Sequence, residues 1–363
     1  MQIVESAVPD TRTKTNLKVV ELTPELEARW DEFVELHPES TMYHLSGWKQ
    51  VLEKTFGLKS RCLTAVDHEQ QITGILPLFL MKDILGRRFL VSNPFANFAG
   101  VCASDVVAQR RLLEAAWDMA KRENAQYVEL RQLGQPLGEQ PQLCTRESFV
   151  TLMLSLTGSA DGIWTNLSSR NRGKIRKAEK SGLSADFGLN YLADFYRVFV
   201  RNIRDLGTPV YSAEFFQNII EVFADRVNLL VLKMQDQVVS GMFLFQFKDV
   251  LSEPWVSSLR EYNQFYVNNL LYWKAITYAC GNGFAKFDFG RSTVASGTYD
   301  FKLQWGAKPV PLYYQYLLHK ARAVPTVDAH NNKYQLFIEL WKKLPLFAAN
   351  FIGPKIVKHL PEL

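Results

Sequence analysis

The chain has 363 residues, of which 47% are hydrophobic, and its formal net charge is +5. This length is sufficient for two domains of ordinary size, each with its own core. The mildly basic charge suits an anionic substrate, but it is too small for a dedicated nucleic-acid-binding protein.

The amino-terminal segment and the cysteines indicate a cytoplasmic protein. Residues 1–16 lack the apolar stretch of a signal peptide, and we expect them to form a flexible tail. No apolar run in the sequence approaches the ~20 residues that a membrane-spanning helix needs. Cys62, Cys102, Cys144 and Cys280 form no CxxC pair, so we interpret them as reduced core residues.

The first half of the chain predicts one unit of strands and helices. Its patterns predict a strand at 17–22, helices at 23–38 and 46–56, strands at 60–67, 72–83 and 88–101, a helix at 106–124 and a strand at 125–132. Thr23 as N-cap and Pro24 at the first helical position mark the start of the first helix. The turn-rich stretch 133–148 predicts a domain boundary.

The second half repeats this order of elements. It predicts a strand at 148–156, helices at 161–182, 191–207 and 212–226, strands at 227–235, 237–249 and 250–260, a helix at 268–283, a strand at 285–292, a short helix from 297 and a strand at 310–320. The repetition predicts an internal duplication, with domains at 17–145 and 146–322 and an amphipathic segment at 323–363.

A strand in the second half carries the first candidate site residue. In "AKFDFGRS", alternation places Phe287 and Phe289 on one face and Lys286 and Asp288 on the other. A carboxylate in such a strand costs free energy unless it is paired. Asp288 is therefore either part of a structural ion pair, with Arg291 or another base, or a base or substrate anchor at a cleft.

The segment after this strand is polar and is followed by a short helix. Backbone amides in the loop 292–298 can bind an anion or an oxyanion. The helix places Phe301 and Trp305 on one side, while Lys302 points away from them. Taken alone, such a lysine is more often a solvated surface charge.

A strongly basic helix precedes these elements in the chain. Six cations face the single acid Glu179: Arg170, Arg172, Lys174, Arg176, Lys177 and Lys180. Like charges at helical spacing repel each other, so we interpret this helix as a site for phosphate, pyrophosphate or a nucleic-acid backbone. A solvated charged face is the alternative. The sequence contains no HExxH, Walker, GxSxG or GxGxxG motif, and we expect no metal site.

Two segments of the second half together resemble a known family. They are "RNRGKIRKAEKSGL" (170–183) and "FDFGRSTVASGTYDFKLQWGAKPVPLYYQY" (287–316). They resemble the Fem-type branch of the GNAT acyltransferase superfamily, closest to the FemAB-like proteins of exosortase/PEP-CTERM and exopolysaccharide systems, which carry a BioF2-like acetyltransferase domain. The resemblance extends over roughly residues 20–320. It implies an α/β (α+β) fold of tandem GNAT-like domains, each a mixed, mostly antiparallel sheet flanked by helices.

The resemblance also implies a reaction and its participants. It implies an acyltransferase that moves an acyl or aminoacyl group from acyl-CoA or aminoacyl-tRNA to an amine or hydroxyl. The acceptor is implied to be a cell-envelope or exopolysaccharide-related glycan precursor, such as an anionic glycan or a nucleotide- or lipid-linked sugar. The alternative function is a non-catalytic GNAT-like module that binds an anionic glycan or nucleic acid.

The resemblance assigns roles to individual residues. The family's Phe-Lys pair corresponds to Phe301 and Lys302, near the reacting carbonyl. We assign Lys302 to the oxyanion, Asp288 to the acceptor and Tyr299 to protonation of the leaving group, while a substrate-assisted reaction without a protein base stays open. The candidate substrate-binding residues are Arg170, Lys174, Arg176, Arg291, Phe301 and Trp305.

Departures from the family pattern leave the donor undecided. The stretch "SLREYNQFYVNNLLYW" has no glycine where a standard acetyl-CoA grip has two, and the chain has no coiled-coil arm for tRNA. Residues 334–358 combine apolar positions at helical spacing with lysines. This segment either docks on its own domain or lies on an anionic membrane at the inner face.

Overall fold

The computed structural model describes residues 17–138, 143–156, 158–325 and 332–360. The tail predicted at 1–16 lies outside the described residues. In the described part, strands form an 11-stranded sheet and a 4-stranded sheet, with helices on their faces.

The first half of the chain contains eight strands and three α-helices within its described residues. In chain order they are β1 (Lys18–Glu21), α1 (Pro24–Leu36), α2 (Gly47–Phe56), β2 (Lys59–Ser60), β3 (Leu63–Val66), β4 (Ile72–Leu76), β5 (Leu78–Lys82), β6 (Arg88–Ser92), β7 (Cys102–Ala103), α3 (Val106–Arg122) and β8 (Tyr127–Leu133). Two of the predicted strands are wrong in extent. The strand expected at 72–83 is two strands, β4 in the 4-stranded sheet and β5 in the 11-stranded sheet, and the strand expected at 88–101 ends at Ser92 and continues as a loop.

The second half follows with a similar order. Its elements are β9 (Leu143–Ser155), α4 (Ala160–Asn166), α5 (Ser169–Glu179), β10 (Leu183–Phe187), α6 (Leu192–Leu206), α7 (Ala213–Val222), β11 (Val227–Met234), β12 (Gln237–Phe247), β13 (Val250–Ser258), α8 (Val267–Gly281), β14 (Lys286–Thr293), α9 (Gly297–Leu303) and β15 (Lys308–Leu318). Two helices close the described chain, α10 (Asn332–Lys342) and α11 (Leu346–Val357), and both pack on α6.

The single helix predicted over 161–182 is wrong, because the structure has two helices there. Ser168 interrupts the helical backbone with ψ 148°, and its side chain accepts a hydrogen bond from the backbone N–H of Asn171. Serine is a strong N-cap residue, so this position begins a new helix rather than continuing the old one. The interruption lets α5 take its own direction against α8.

The large sheet joins the two halves. Its strand order is β10-β11-β12-β13-β14-β9-β15-β8-β6-β5-β2, so β15 lies between β9 and β8 and pairs with both. All its ladders are antiparallel except β13 with β14 and β6 with β8, which are parallel. Each parallel pair is connected through a helix, α8 or α3, as parallel strands require.

The two parallel pairs occupy equivalent positions in the two halves, but the openings beside them differ in size. In the first half the loop after β6 occupies most of the space beyond the β6–β8 ladder and leaves a cavity of about 70 Å³. On β8, Arg131 Nη1 donates to the carbonyl of Ala96 at 2.7 Å, and the backbone carbonyl of Arg131 accepts from the N–H of Ala99 at 3.0 Å. Arg131 also pairs with Glu129 at 2.7 Å, and both side chains are buried. The corresponding space in the second half is a cleft.

Apolar clusters cover both faces of the large sheet. One joins the halves around α1, α2, α6 and α7, the second packs α5 and α8 on β11–β14, and the third packs α3 on β5, β6 and β8. The four cysteines are unpaired, with Cys62 and Cys102 buried. No helix within the described residues combines the length and apolar character needed to cross a bilayer.

Candidate active site

The cleft opens where β13 and β14 diverge. Their ladder contains only three residue pairs and ends at Ser252 opposite Asp288, although both strands continue beyond that point. The cleft has a volume of about 810 Å³, which is large enough for a cofactor-sized ligand. Most of its wall comes from the second half, while Tyr43 and the loop 95–97 contribute from the first half.

A bulge in β14 shapes the cleft wall. Gly290 has φ 68°, and the ladder between β14 and β9 shifts register between Asp288 and Arg291. A Cβ at Gly290 would lie 3.2 Å from the carbonyl oxygen of Glu253, so any larger residue would crowd β13. The left-handed conformation and the close approach both favour glycine at this position.

Asp288 holds this bulge from behind. Its Oδ1 accepts hydrogen bonds from the backbone N–H of Gly290, at 2.9 Å, and from the hydroxyl of Thr151. The side chain is 2% exposed and does not line the cleft. Burial raises the pKa of Asp288, and these two donors oppose that rise. The geometry is that of a positioning residue, while the predicted role toward the acceptor stays a prediction.

Lys302 does line the cleft, from α9. The helix is fixed at its start by Ser296, whose hydroxyl accepts from the backbone N–H of Tyr299. Lys302 Nζ donates to the carbonyls of Gly290 at 3.0 Å and Arg291 at 3.2 Å, so the bulge holds the ammonium in place. Burial lowers the pKa of Lys302. An ammonium has three N–H groups, and the third is available to a nearby anion or a ligand.

Glu253 on β13 faces Lys302 across the cleft. Its Oε1 lies 4.0 Å from Lys302 Nζ and accepts a hydrogen bond from the Tyr272 hydroxyl at 2.7 Å. Burial raises the pKa of Glu253 to about 8, although Lys302 and Tyr272 oppose the rise. A carboxyl of this pKa exchanges protons near neutral pH, which suits a general base or acid.

Sequence reasoning missed Glu253. The residue follows the strand segment Val250–Ser252 and precedes Pro254 and Trp255, so it is an acid inside a largely buried strand. The same signal identified Asp288. Applied to β13, it would have identified Glu253 as well.

The remaining predicted residues of the 287–305 segment separate into two groups. Arg291 and Phe301 line the cleft with Lys302, and Arg291 is held by the Tyr314 hydroxyl at 3.0 Å. Trp305 is 2% exposed in the core beside α8. Tyr299 is half-buried against the same core and is not among the residues that line the cleft.

The basic helix α5 lies outside the cleft lining. Arg170 is exposed, Lys174 is half-buried, and the exposed Arg176 stacks on Trp164 with 5.4 Å from its guanidinium carbon to the ring centroid. The helix reaches the site region through Asn171, whose Nδ2 donates to the carbonyl of Gln304 at 3.1 Å. The structure therefore does not bring these three predicted substrate-binding residues together with Lys302.

Two further observations concern ligands. Asn268 lines the cleft at the first turn of α8, and the buried Nδ2 of Asn269 beside it has no hydrogen-bond partner in the described structure. The N-terminus of α8 at Asn268 fits an anionic group of a ligand, whereas Asn269 is buried and does not line the cleft. Within the described ranges, no group of three or more His, Cys, Asp or Glu side chains could hold a metal ion.

Comparisons with known proteins agree with this architecture. Residues 166–303 match the family model of an acetyltransferase (GNAT) domain, and no curated protein matches the sequence. Similar solved structures include FemX, with 15% identity over 88% of this chain and 100% of that chain and a TM-score of 0.65. A tandem GNAT protein from the clavulanic acid biosynthesis pathway has 9% identity over 85% of this chain and 100% of that chain, with a TM-score of 0.56. L-PGS from Bacillus licheniformis has 11% identity over 85% of this chain and 98% of that chain, with a TM-score of 0.50.

At these identities the structural likeness shows the fold alone. The fold is that of the tandem GNAT proteins, so the predicted fold class is confirmed. The family model confirms the predicted GNAT resemblance for the segment that contains Glu253, Asp288 and Lys302.

Proposed function

We propose that this chain, an acyltransferase whose residues 166–303 form a GNAT domain, transfers an acyl or aminoacyl group to an amine or hydroxyl of a cell-envelope or exopolysaccharide-related glycan precursor. One observation carries the proposal: Glu253 and Lys302 face each other at 4.0 Å in the cleft between the diverging strands. The Fem-type resemblance supports the glycan acceptor and the link to PEP-CTERM systems.

The donor enters along the open edges of β13 and β14 in this proposal. Beyond Ser252 and Asp288 the two strands no longer pair with each other, so their facing edges can hydrogen-bond an extended donor. Anionic parts of the donor fit the N-terminus of α8 near Asn268, which lines the cleft. A GNAT domain implies an acyl-CoA-type donor in general, and aminoacyl-tRNA is the alternative.

The residues of the cleft include the groups that an acyl transfer needs: a proton acceptor, a cation for the oxyanion and a proton donor for the leaving group. The acceptor nitrogen or oxygen forms a bond to the acyl carbon while its proton passes to Glu253, directly or through one water. The ammonium of Lys302 stabilises the oxyanion that develops on the acyl oxygen. As the bond to the leaving sulfur or oxygen breaks, protonated Glu253 or Lys302 returns a proton to it.

Asp288 contributes to this reaction through position. It fixes the Gly290 bulge, and the bulge carbonyls fix Lys302, so the carboxylate determines where the ammonium lies. Tyr299 as proton donor to the leaving group requires its side chain to turn toward the cleft. Arg291, already within the cleft lining, is a second cation for an anionic acceptor.

The test measures donor binding and transfer with the full chain. Acyl-CoA and aminoacyl-tRNA are offered in turn with a nucleotide-linked amino sugar as acceptor, to wild type, to Lys302→Ala and to Lys286→Ala. Lys286 lies on the same strand as Asp288 but is exposed and pairs with Asp249, which makes it the matched control. We expect one donor class to support transfer, which Lys302→Ala slows by about 10²–10³ and Lys286→Ala retains.

A different pattern would contradict the proposal. If neither donor class binds while an anionic glycan still does, the cleft is a binding site rather than an acyl-transfer site. Equal transfer by Lys302→Ala and wild type would remove the lysine from the reaction.

A further inference from the structure

The helices α10 and α11, here named the C-terminal helix pair, cover α6 with one face and expose apolar side chains on the other. Trp341 of α10 and Ala349, Gly353 and Val357 of α11 are buried against the domain. The exposed apolar residues of the pair are Leu336, Leu340, Leu346, Phe347, Phe351 and Ile352. Phe347 and Phe351 are the most exposed of these and lie one helical turn apart, and neighbouring exposed aromatic side chains mark an interaction site more often than a solvated face.

The geometry of α11 places these two faces opposite each other. Ala349, Gly353 and Val357 follow one another at intervals of four residues and form the buried stripe. Phe347 and Phe351 lie two residues before members of that stripe, which corresponds to about 200° around a helix. They are 79% and 67% exposed, so both rings project away from the protein.

Lysines occur throughout the sequence of the helix pair, and one of them lies on an exposed aromatic ring. Residues 335–360 contain four lysines, Lys342, Lys343, Lys355 and Lys358, and a single acid, Glu339. The ammonium of Lys355 lies 3.6 Å from the centroid of the Phe351 ring, so cation and aromatic ring share one surface. Aromatic and leucine side chains bordered by lysines match a membrane with anionic headgroups in both apolar character and charge.

The helix pair also lies beside the mouth of the cleft. The segment that ends α6 and follows it lines the cleft with Leu206, Thr208, Pro209 and Tyr211. The same segment contacts the helix pair, because a Cβ at Gly353 would lie only 2.8 Å from the backbone nitrogen of Val210.

Hydrogen bonds attach the pair to this wall. Arg204 Nη1 donates to the carbonyl of Leu344 at 2.7 Å, and the Tyr196 hydroxyl donates to Asn350 Oδ1 at 2.6 Å. This hydroxyl has one hydrogen, which it can donate instead to the carbonyl of Tyr211 at 2.9 Å, so the phenol lies between the cleft wall and α11. The pair is therefore held in a fixed position relative to the cleft.

We propose that the C-terminal helix pair binds the surface of an anionic lipid bilayer and holds the cleft mouth at that surface. Phe347 and Phe351 enter the acyl boundary, and the lysines contact phosphate headgroups. As a consequence that rests on the proposed function, the acceptor is a lipid-linked sugar whose carrier remains in the bilayer during transfer.

The experiment measures binding of the full chain to phosphatidylglycerol-containing vesicles and to pure phosphatidylcholine vesicles by co-sedimentation, without any donor. The partition coefficient of the double variant Phe347→Ser/Phe351→Ser onto vesicles is expected to be about 100-fold lower. The reason is that two phenylalanine rings are no longer transferred from water into the bilayer. The matched control is Val106→Ser/Val107→Ser, since both valines are exposed on α3, which packs on the opposite face of the sheet from Val357.

Charge is tested separately. Lys342→Gln and Lys343→Gln are each expected to weaken binding to the anionic vesicles about fivefold. Their effect on phosphatidylcholine vesicles is expected to be small. Binding of wild type to anionic vesicles is expected to fall with added salt, because screening shortens the reach of the lysines.

Two outcomes would overturn the proposal. One is equal vesicle binding by wild type and the phenylalanine double variant. The other is a dimer in sedimentation analysis that the double variant abolishes, with no vesicle binding by wild type, which would assign the surface to a second copy of the chain. Transfer to a water-soluble acceptor by the double variant tests the proposed function independently, because it does not require the membrane.

Discussion

Replacing Glu253 by glutamine is expected to change how the stability of the protein depends on pH. The folded protein raises the pKa of this carboxyl from 4.5 to about 8 because the group is buried. The folded state therefore binds this proton more tightly than the unfolded state does. The resulting stability is fully present below about pH 4.5 and is lost as pH rises to about 8.

The size of the effect follows from the two pKa values. The difference between 4.5 and about 8 corresponds to a total of about 5 kcal/mol at high pH. Between pH 5 and pH 9 the free energy of unfolding of wild type should fall by about 4 kcal/mol relative to Glu253→Gln. Glutamine still accepts the hydrogen bond from Tyr272. The Glu253 carboxylate also raises the pKa of Lys302, so the difference measures Glu253 together with its electrostatic coupling to that lysine.

The assay is urea denaturation of both proteins at a series of pH values, followed by tryptophan fluorescence. We expect the two free energies to approach each other near pH 5 and to separate toward pH 9, with the variant more stable. Two parallel curves would refute the inference that burial in the folded protein raises the pKa of Glu253.

The same substitution tests catalysis. If Glu253 is the general base, kcat/KM rises with pH and levels off above about 8, where the carboxylate is fully formed. In the glutamine variant, kcat/KM should no longer rise with pH and should be lower by about 10²–10⁴-fold. If kcat/KM of the variant still rises with pH, the ionising group belongs to the acceptor, and the reaction is substrate-assisted.

Three further substitutions separate chemistry from architecture. Lys302→Ala should lower kcat by about 10²–10³ with a nearly unchanged donor KM, because the oxyanion loses its cation, and steady-state kinetics measure this. Asp288→Ala should destabilise the protein by about 1–3 kcal/mol in urea and keep the rise of kcat/KM with pH, because the N–H of Gly290 and the hydroxyl of Thr151 lose their acceptor. A pH profile altered by Asp288→Ala would instead give that carboxyl a direct role. Glu129→Leu should cost about 3–5 kcal/mol of stability because it leaves the buried Arg131 without its carboxylate, while KM stays unchanged.

Much of the fold could be predicted from the sequence because most elements carry strong local patterns. The helices α1, α2, α3, α6 and α8 begin and end within a few residues of the predictions. The strand β10 was missed, since Leu183–Phe187 is a short stretch with polar members and half-buried side chains. The domain limits at 145 and 146 stay a prediction, and β9 starts at Leu143, directly after residues outside the described ranges.

The candidate site was only partly predictable, for a physical reason. Alternation along a strand indicates which residues share a face, but it does not tell which face meets a cleft. That choice depends on where β13 and β14 stop pairing, which involves residues distant in the chain. The sequence therefore indicated that Asp288 is a buried acid but not that it lies behind the bulge, and it did not indicate Glu253 as a site residue.

The position of β15 between β8 and β9 has a consequence for synthesis of the protein on the ribosome. The strand pairs with residues 127–133 and 143–155, yet it is made more than 150 residues after them. At usual rates of translation this interval is roughly 10–30 s. During it, the facing edges of β8 and β9 are unpaired and can associate with another nascent chain. Expression of this protein should therefore benefit from chaperones that protect strand edges, and fragments that end before residue 308 should aggregate.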